Sequence, residues 1–156
     1  MLEETLTTAV ALRCALEAEV ERARREREAL RTLDSDRIFA GAAARAAFNG
    51  HVADLQERLA KALARAAGAL GAPEVTLARL AERAPAETAA LSRTLADVRA
   101  LAGALAELDR LNLMLAGRAL ACVQGYLTAL QPPAAAYDRR GARTGTALRA
   151  GAWSKV

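Results

Sequence analysis

The sequence has little of what a β-sheet needs. Aromatic residues make up 3% of its 156 residues and β-branched residues are scarce, whereas alanine and leucine dominate. Strands favour aromatic and β-branched side chains, and helices favour alanine and leucine. The composition therefore predicts an all-α fold, in a chain long enough to bury one core of its own.

Residues that carry catalysis or bind metals are also few. The single histidine, His51, lies inside a helical pattern without nearby nucleophiles or spaced carboxylates, and we expect it to be half-buried and structural. Cys14 and Cys122 are far apart in the sequence, so we expect small buried thiols and no zinc site or disulfide framework. The nucleotide and zinc-protease motifs GxxxxGK[ST], GxGxxG and HExxH are absent. We predict no enzyme, no metal, no cofactor and no small-molecule substrate.

The positive charge is concentrated at the C-terminus. Residues 131–156 hold five basic residues and one acidic residue, and the remaining seventeen of each sign balance in residues 1–130. A basic tail can contact nucleic acid, anionic lipid or an acidic protein, but the same composition is typical of a solvated terminus. Because aromatic residues do not alternate with the bases, we predict no nucleic-acid partner. The N-terminus lacks the pattern of a signal peptide, which favours a cytoplasmic protein.

Apolar residues recur every three or four positions, which predicts a first helix over about residues 2–33. The sequence Asp34-Ser35-Asp36 is better explained as the cap of a second helix than as a metal cluster. This second helix follows residues 38–66, and Asn49-Gly50 leaves open a kink or a break in it. Gly68, Gly71 and Pro73 end it.

A short helix is predicted for Thr76–Arg83, followed by a long one from Pro85 to Leu130, where Pro132-Pro133 ends it. We predict a helical domain over residues 1–131, built as an antiparallel hairpin plus the long helix, and a flexible basic tail over residues 132–156. The seam of the long helix has the steps of a coiled coil and consists of Val98, Leu101, Leu105, Leu108, Asn112, Leu115, Ala119, Cys122, Tyr126 and Ala129.

The last part of the long helix is apolar on nearly every face. Residues 111–130 carry one charge, Arg118. A membrane span is disfavoured because Asn112, Arg118 and Gln124 would be costly in a bilayer. At 1.5 Å per residue, the long helix should outrun the hairpin by about 15–20 Å. We therefore predict a partner surface, although coverage by the rest of the chain is the alternative. Its residues are Leu113, Leu120, Val123, Leu127 and Leu130, with Asn112 and Tyr126.

Residues 108–143, LDRLNLMLAGRALACVQGYLTALQPPAAAYDRRGAR, resemble the end of FlgN-type flagellar export chaperones. That family has a long last helix with an Asn and a Leu-rich segment, a short linker, and a Tyr-x-x-x-Gly element close to an Arg. The matching positions here are Asn112, Leu115, Val123, Leu127, Leu130, Tyr137, Gly141 and Arg143. Asp109 stands where the family often has a second Asn. The upstream helical layout agrees over about residues 2–130.

The resemblance implies a cytoplasmic chaperone for the C-terminal helices of hook–filament junction proteins. It also implies delivery to the membrane protein of the flagellar export gate, with Tyr137, Gly141 and Arg143 as docking residues. Two alternatives stay open: a chaperone for another export substrate such as the filament cap, or a self-associating coiled-coil adaptor. The sequence leaves the substrate and the oligomeric state undetermined.

Overall fold

A computed structural model describes residues 2–69, 71, 76–130, 136–137 and 143–144 of this protein. Four helices follow one another in the described chain: α1 (Glu3–Thr32), α2 (Ser35–Ala69), α3 (Leu77–Arg83) and α4 (Pro85–Leu130). Residues 2–69, 71 and 76–130 contain no strand. The all-α prediction is therefore confirmed.

Contacts along the chain divide it into a first unit, Met1–Ala119, and a second unit, Leu120–Val156. In the first unit, α1 and α2 form an antiparallel hairpin. At its open end the Arg65 guanidinium lies 2.6 Å from the Glu4 carboxylate. Nearer the turn, Nη1 of Arg22 donates a hydrogen bond to the carbonyl of Gly41 at 2.8 Å.

The turn between α1 and α2 uses the residues that the sequence indicated. Leu33 ends α1 in the left-handed region, with φ 54°, and its backbone N–H donates to the carbonyl of Ala29. A side-chain oxygen of Asp34 then accepts from the backbone N–H of Arg37 at 3.1 Å, which is the geometry of an N-cap. Asp34 is thus a helix cap.

Helix α2 passes through Asn49-Gly50 without a break. A helical glycine costs about 1 kcal/mol relative to alanine. Packing offsets this cost, since Phe48 and Val52 contact the main core and Leu55 is buried in it. The helix therefore stays continuous although its local sequence favours a turn.

Helix α4 runs parallel to α1 in the first unit. The backbone N–H of Leu2 donates to Glu87, and Nε of Arg27 donates to Asn112; the members of each pair are 85 positions apart. By the same spacing Thr32, the last residue of α1, is level with Gly117. Helix α1 therefore ends close to the end of the first unit.

The main core lies between α1, α2 and α4. Its buried residues are Ala9, Leu12, Leu16, Val20, Ala23, Leu55, Leu59, Leu91 and Leu105. A second cluster at the open end of the hairpin joins Leu2, Ala66 and Leu80, which brings α3 into the unit. Thr76 caps α3, because its hydroxyl accepts from the backbone N–H of Arg79 at 3.3 Å.

Three burial predictions are wrong. Cys14 and Cys122 are both exposed. Cys14 lies off the α1 stripe that contains Leu12 and Leu16, and so it faces away from the core. His51 is also exposed, because it lies to one side of the α2 face on which Phe48 and Val52 contact the core.

The second unit contains the last turns of α4 and two short strands, β1 (Ala136–Tyr137) and β2 (Arg143–Thr144). The strands pair in antiparallel fashion, with Tyr137 opposite Arg143. Apart from these strands, the tail predicted to be flexible, residues 132–156, lies outside the described residues. That prediction stays a prediction.

Candidate partner-binding surface

The end of α4 is exposed on every side. All residues from Ala121 to Leu130 are exposed, and so is Leu120. Leu127 is 58% exposed and Leu130 79%. We call the set Leu120, Val123, Tyr126, Leu127 and Leu130 the apolar end of α4. So many large apolar side chains open to water on one short segment are the usual sign of a binding surface.

The helical period relates the apolar end to the packed part of the same helix. Val123 lies about five turns after Leu105, and Leu130 lies about five turns after Asn112. Leu105 and Asn112 are the last two buried residues of α4. Val123 and Leu130 thus lie on the same side of α4 as its buried residues Leu105 and Asn112. Leu120 and Leu127 lie next to them on this side.

The predicted coiled-coil seam holds only in the first unit. Leu105 and Asn112 are buried, and Leu101, Leu108 and Leu115 are half-buried. Cys122, Tyr126 and Ala129 are exposed, so the prediction that they continue an internal seam is wrong. These three residues lie in the part of α4 that is exposed on every side, so no face of the helix is buried there.

Asn112 is an internal residue. It is 5% exposed, and its Nδ2 donates to the carbonyl of Ala23 at 2.8 Å and to Oε2 of Glu26 at 3.3 Å. Its Oδ1 accepts from Nε of Arg27 at 3.4 Å. These bonds fix the position of α4 along α1. We therefore leave Asn112 out of the proposed partner surface, although the sequence suggested it there.

A charged cluster that the sequence did not reveal holds the three long helices together beside Asn112. The Glu19 side chain is 4% exposed and lies 2.9 Å from Nε of Arg45, whose Nη2 lies 2.5 Å from Asp109. A second arginine, Arg22, also donates to Glu19, and this hydrogen bond raises the pKa of Arg22 above its usual value. Asp109, where the family often has Asn, thus has a structural partner in α2.

Leu113 belongs to the first unit and is 75% exposed. It lines a shallow groove of about 440 Å³ together with Ile38, Ala42 and Ala116. That Leu113 contacts a partner stays a prediction. The groove has polar walls at Arg45 and Asp109.

The predicted docking residues lie in the second unit. Tyr137 and Arg143, six positions apart in the sequence, are direct partners in the register of β1 and β2. Gly141 lies outside the described residues. The structure thus pairs two of the three predicted docking residues along the backbone.

Metal and membrane chemistry can be assessed over the described part of the chain. Within it, no group of three or more His, Cys, Asp or Glu side chains is placed to hold a metal ion. One helix there, α4, is long and apolar enough to cross a membrane, by length and composition only.

The first unit is an all-α hairpin packed against the long helix α4, and the last turns of α4 expose large apolar side chains. The FlgN protein family model matches residues 1–145, which is most of the chain, and the protein therefore belongs to the FlgN family. This is a family of flagellar export chaperones and not of enzymes. Comparison with curated proteins and with solved structures gives no significant match.

Proposed function

We propose that this protein is a cytoplasmic chaperone that binds the C-terminal helices of hook–filament junction proteins on the apolar end of α4. The observation that carries the proposal is the exposure of Leu120, Val123, Leu127 and Leu130 on one side of a helix. Amphipathic helices bind such surfaces through their own apolar face. Membership of the FlgN family supplies the class of partner, an exported flagellar protein.

Burial of the apolar end supplies enough free energy for this role. Apolar surface removed from water contributes about 25 cal/mol per Å². A few hundred Å² therefore gives several kcal/mol, from which the ordering of the partner helix must be subtracted. Binding in the micromolar range or tighter is expected, without nucleotide or metal.

A chaperone must also release its cargo to the export gate. We assign docking at the gate to the tail, with Tyr137, Gly141 and Arg143 as the residues involved. The pairing of Tyr137 with Arg143 in the β1–β2 register supports this assignment, because it brings two of these residues together. Removal of residues 134–156 should then leave peptide binding and thermal stability unchanged and weaken binding to the gate protein.

The decisive variants are Leu120→Asp and Leu127→Asp. Each puts a carboxylate into the proposed contact, where an unpaired buried charge costs several kcal/mol, but leaves it in water in the free protein. We expect binding of a C-terminal peptide from a hook–filament junction protein to fall by at least about a hundredfold while the melting temperature holds. Isothermal titration and thermal unfolding would measure the two effects.

Thr128→Asp is the matched control, because Thr128 is exposed and lies away from the side of the helix that carries Leu127 and Leu130. It should bind the peptide like the wild type. If both leucine variants unfold the protein, these leucines belong to an internal core and the site lies elsewhere. If a filament-cap peptide binds more tightly than the junction peptide, the substrate is the filament-cap protein and not a junction protein. A stable oligomer of the isolated chain would favour the adaptor alternative.

A further inference from the structure

A second surface in the first unit lies beside the packed part of α4. Residues of α1 and α4 form a groove of about 310 Å³. Its lining residues are Arg27, Arg31, Leu111, Met114, Leu115 and Arg118. Half of them are arginines and the others are apolar. This combination distinguishes the groove from the uncharged apolar end of α4.

The positive charge of this groove is not neutralised within the described part of the chain. Arg118 forms no hydrogen bond or ion pair there. Only Arg31 has an acidic neighbour, Glu28, at 3.6 Å, and both of these side chains are largely exposed. Since acidic and basic residues are equal in number over residues 1–130, two unpaired arginines on one groove are a local excess.

The Arg27 guanidinium has a buried hydrogen-bond donor without an acceptor. Its Nε makes a long hydrogen bond of 3.4 Å to Asn112, and its Nη2 is buried without any hydrogen-bond partner. A buried donor without an acceptor is costly, and an arginine fork binds a carboxylate best because two parallel N–H groups match its two oxygens. The unsatisfied group therefore favours a carboxylate as the missing ligand.

We propose that the groove between α1 and α4 binds an acidic side chain of the exported partner, with Arg27 and Arg118 as its ligands. Apolar side chains of the same acidic segment contact Leu111, Met114 and Leu115. This inference rests on the proposed function and adds charge recognition to it. The apolar end gives affinity, and the arginines select a partner that carries an acidic segment.

The test uses the full chain and a C-terminal peptide from a hook–filament junction protein of the same bacterium. Arg118→Gln is the main variant, because Arg118 makes no internal bond that its loss would break. Arg27→Gln is the second variant. Each should weaken binding about tenfold and reduce its sensitivity to salt, as expected for a charge-assisted pair. Arg24→Gln, on an exposed face of α1 outside the groove, is the matched control and should bind like the wild type.

A second arm changes the peptide. Replacement of its Asp and Glu residues by Asn and Gln should also weaken binding about tenfold. The Arg118→Gln substitution should then have no further effect, because the neutral peptide has no carboxylate for Arg118 to bind. Amidation of the peptide's C-terminal carboxylate should change nothing, which separates a side-chain carboxylate from the chain terminus.

The proposal is overturned if Arg118→Gln and the neutralised peptide both keep wild-type affinity, or if the amidated peptide alone loses affinity. In either case the proposed function stands as long as Leu127→Asp abolishes binding. If the unmodified peptide fails to bind the wild type, or binds the Leu127→Asp variant equally well, the proposed function fails and this inference fails with it.

Discussion

Two parts of one helix, α4, both contain many apolar residues but have different surroundings. Between Pro85 and Asn112, the helix packs against α1 and α2, and residues such as Leu91 and Leu105 are buried. Between Leu120 and Leu130 every residue is exposed. The comparison shows that apolar content alone does not make a core. In the first part other helices of the chain supply the partner, and we propose that in the second part an exported protein supplies it.

The largest expected contrast comes from the same truncation in the two parts. Leu91→Ala should lower the free energy of unfolding by about 2–5 kcal/mol, because Leu91 is fully buried and its loss leaves a cavity. Leu127→Ala should change it by less than about 0.5 kcal/mol. Denaturant unfolding of the two variants measures both values. Equal losses would show that Leu127 is packed within the chain.

Asn112→Ala should have the next largest effect. The substitution removes the hydrogen bonds to Ala23 and Glu26. It also removes the acceptor of the hydrogen bond from Nε of Arg27. We expect a loss of about 1–3 kcal/mol in the free energy of unfolding. Gln124→Ala, which removes an exposed amide from the second part of α4, is the control and should be close to neutral. If the Asn112→Ala protein is as stable as the wild type, Asn112 does not hold α4 in position along α1.

The smallest effect should come from Glu87 at the start of α4. The backbone N–H of Leu2 donates to its carboxylate at 3.0 Å, and this hydrogen bond lowers the pKa of Glu87 below its ordinary value of 4.5. Because the folded pKa is lowered, the stabilisation is present above pH 4.5 and disappears as the pH falls through the lowered value. Glu87→Gln should therefore reduce the melting temperature slightly at pH 7 and by less at pH 3.

Thermal unfolding at the two pH values measures this difference, and Glu82→Gln, at an exposed position of α3, is a suitable control. A Glu87→Gln effect of equal size at both pH values would show that the charge of Glu87 plays no part in holding the open end of the hairpin together.

The helices could be predicted from local sequence because each has its own start and stop signals. Asp34 and Thr76 cap α2 and α3, and Pro85 opens α4. The exposure of Leu120 and Leu127 also follows from sequence, since the length of α4 exceeds what the hairpin can cover. These predictions rest on properties that a residue shares with its near neighbours along the chain.

Burial at single positions could not be predicted in the same way. Cys14, His51 and Asn112 all lie on regular helices, and their environment depends on which other helix reaches that turn. Asn112 is buried where the Ala23 carbonyl and the Glu26 side chain of α1 lie opposite it and accept its hydrogen bonds. The Arg45 contacts with Glu19 and Asp109 join residues that are far apart in sequence. No local pattern encodes such contacts.

Hydrogen exchange of the backbone amides of α4, with and without the junction-protein peptide, tests the central claim most directly. In the free protein, we expect amides between Leu91 and Asn112 to exchange slowly and those between Leu120 and Leu130 to exchange much faster, because no packing there opposes local opening. Bound peptide should slow exchange in the second part with little change in the first. Slow exchange between Leu120 and Leu130 in the free protein, unchanged by the peptide, would contradict the account.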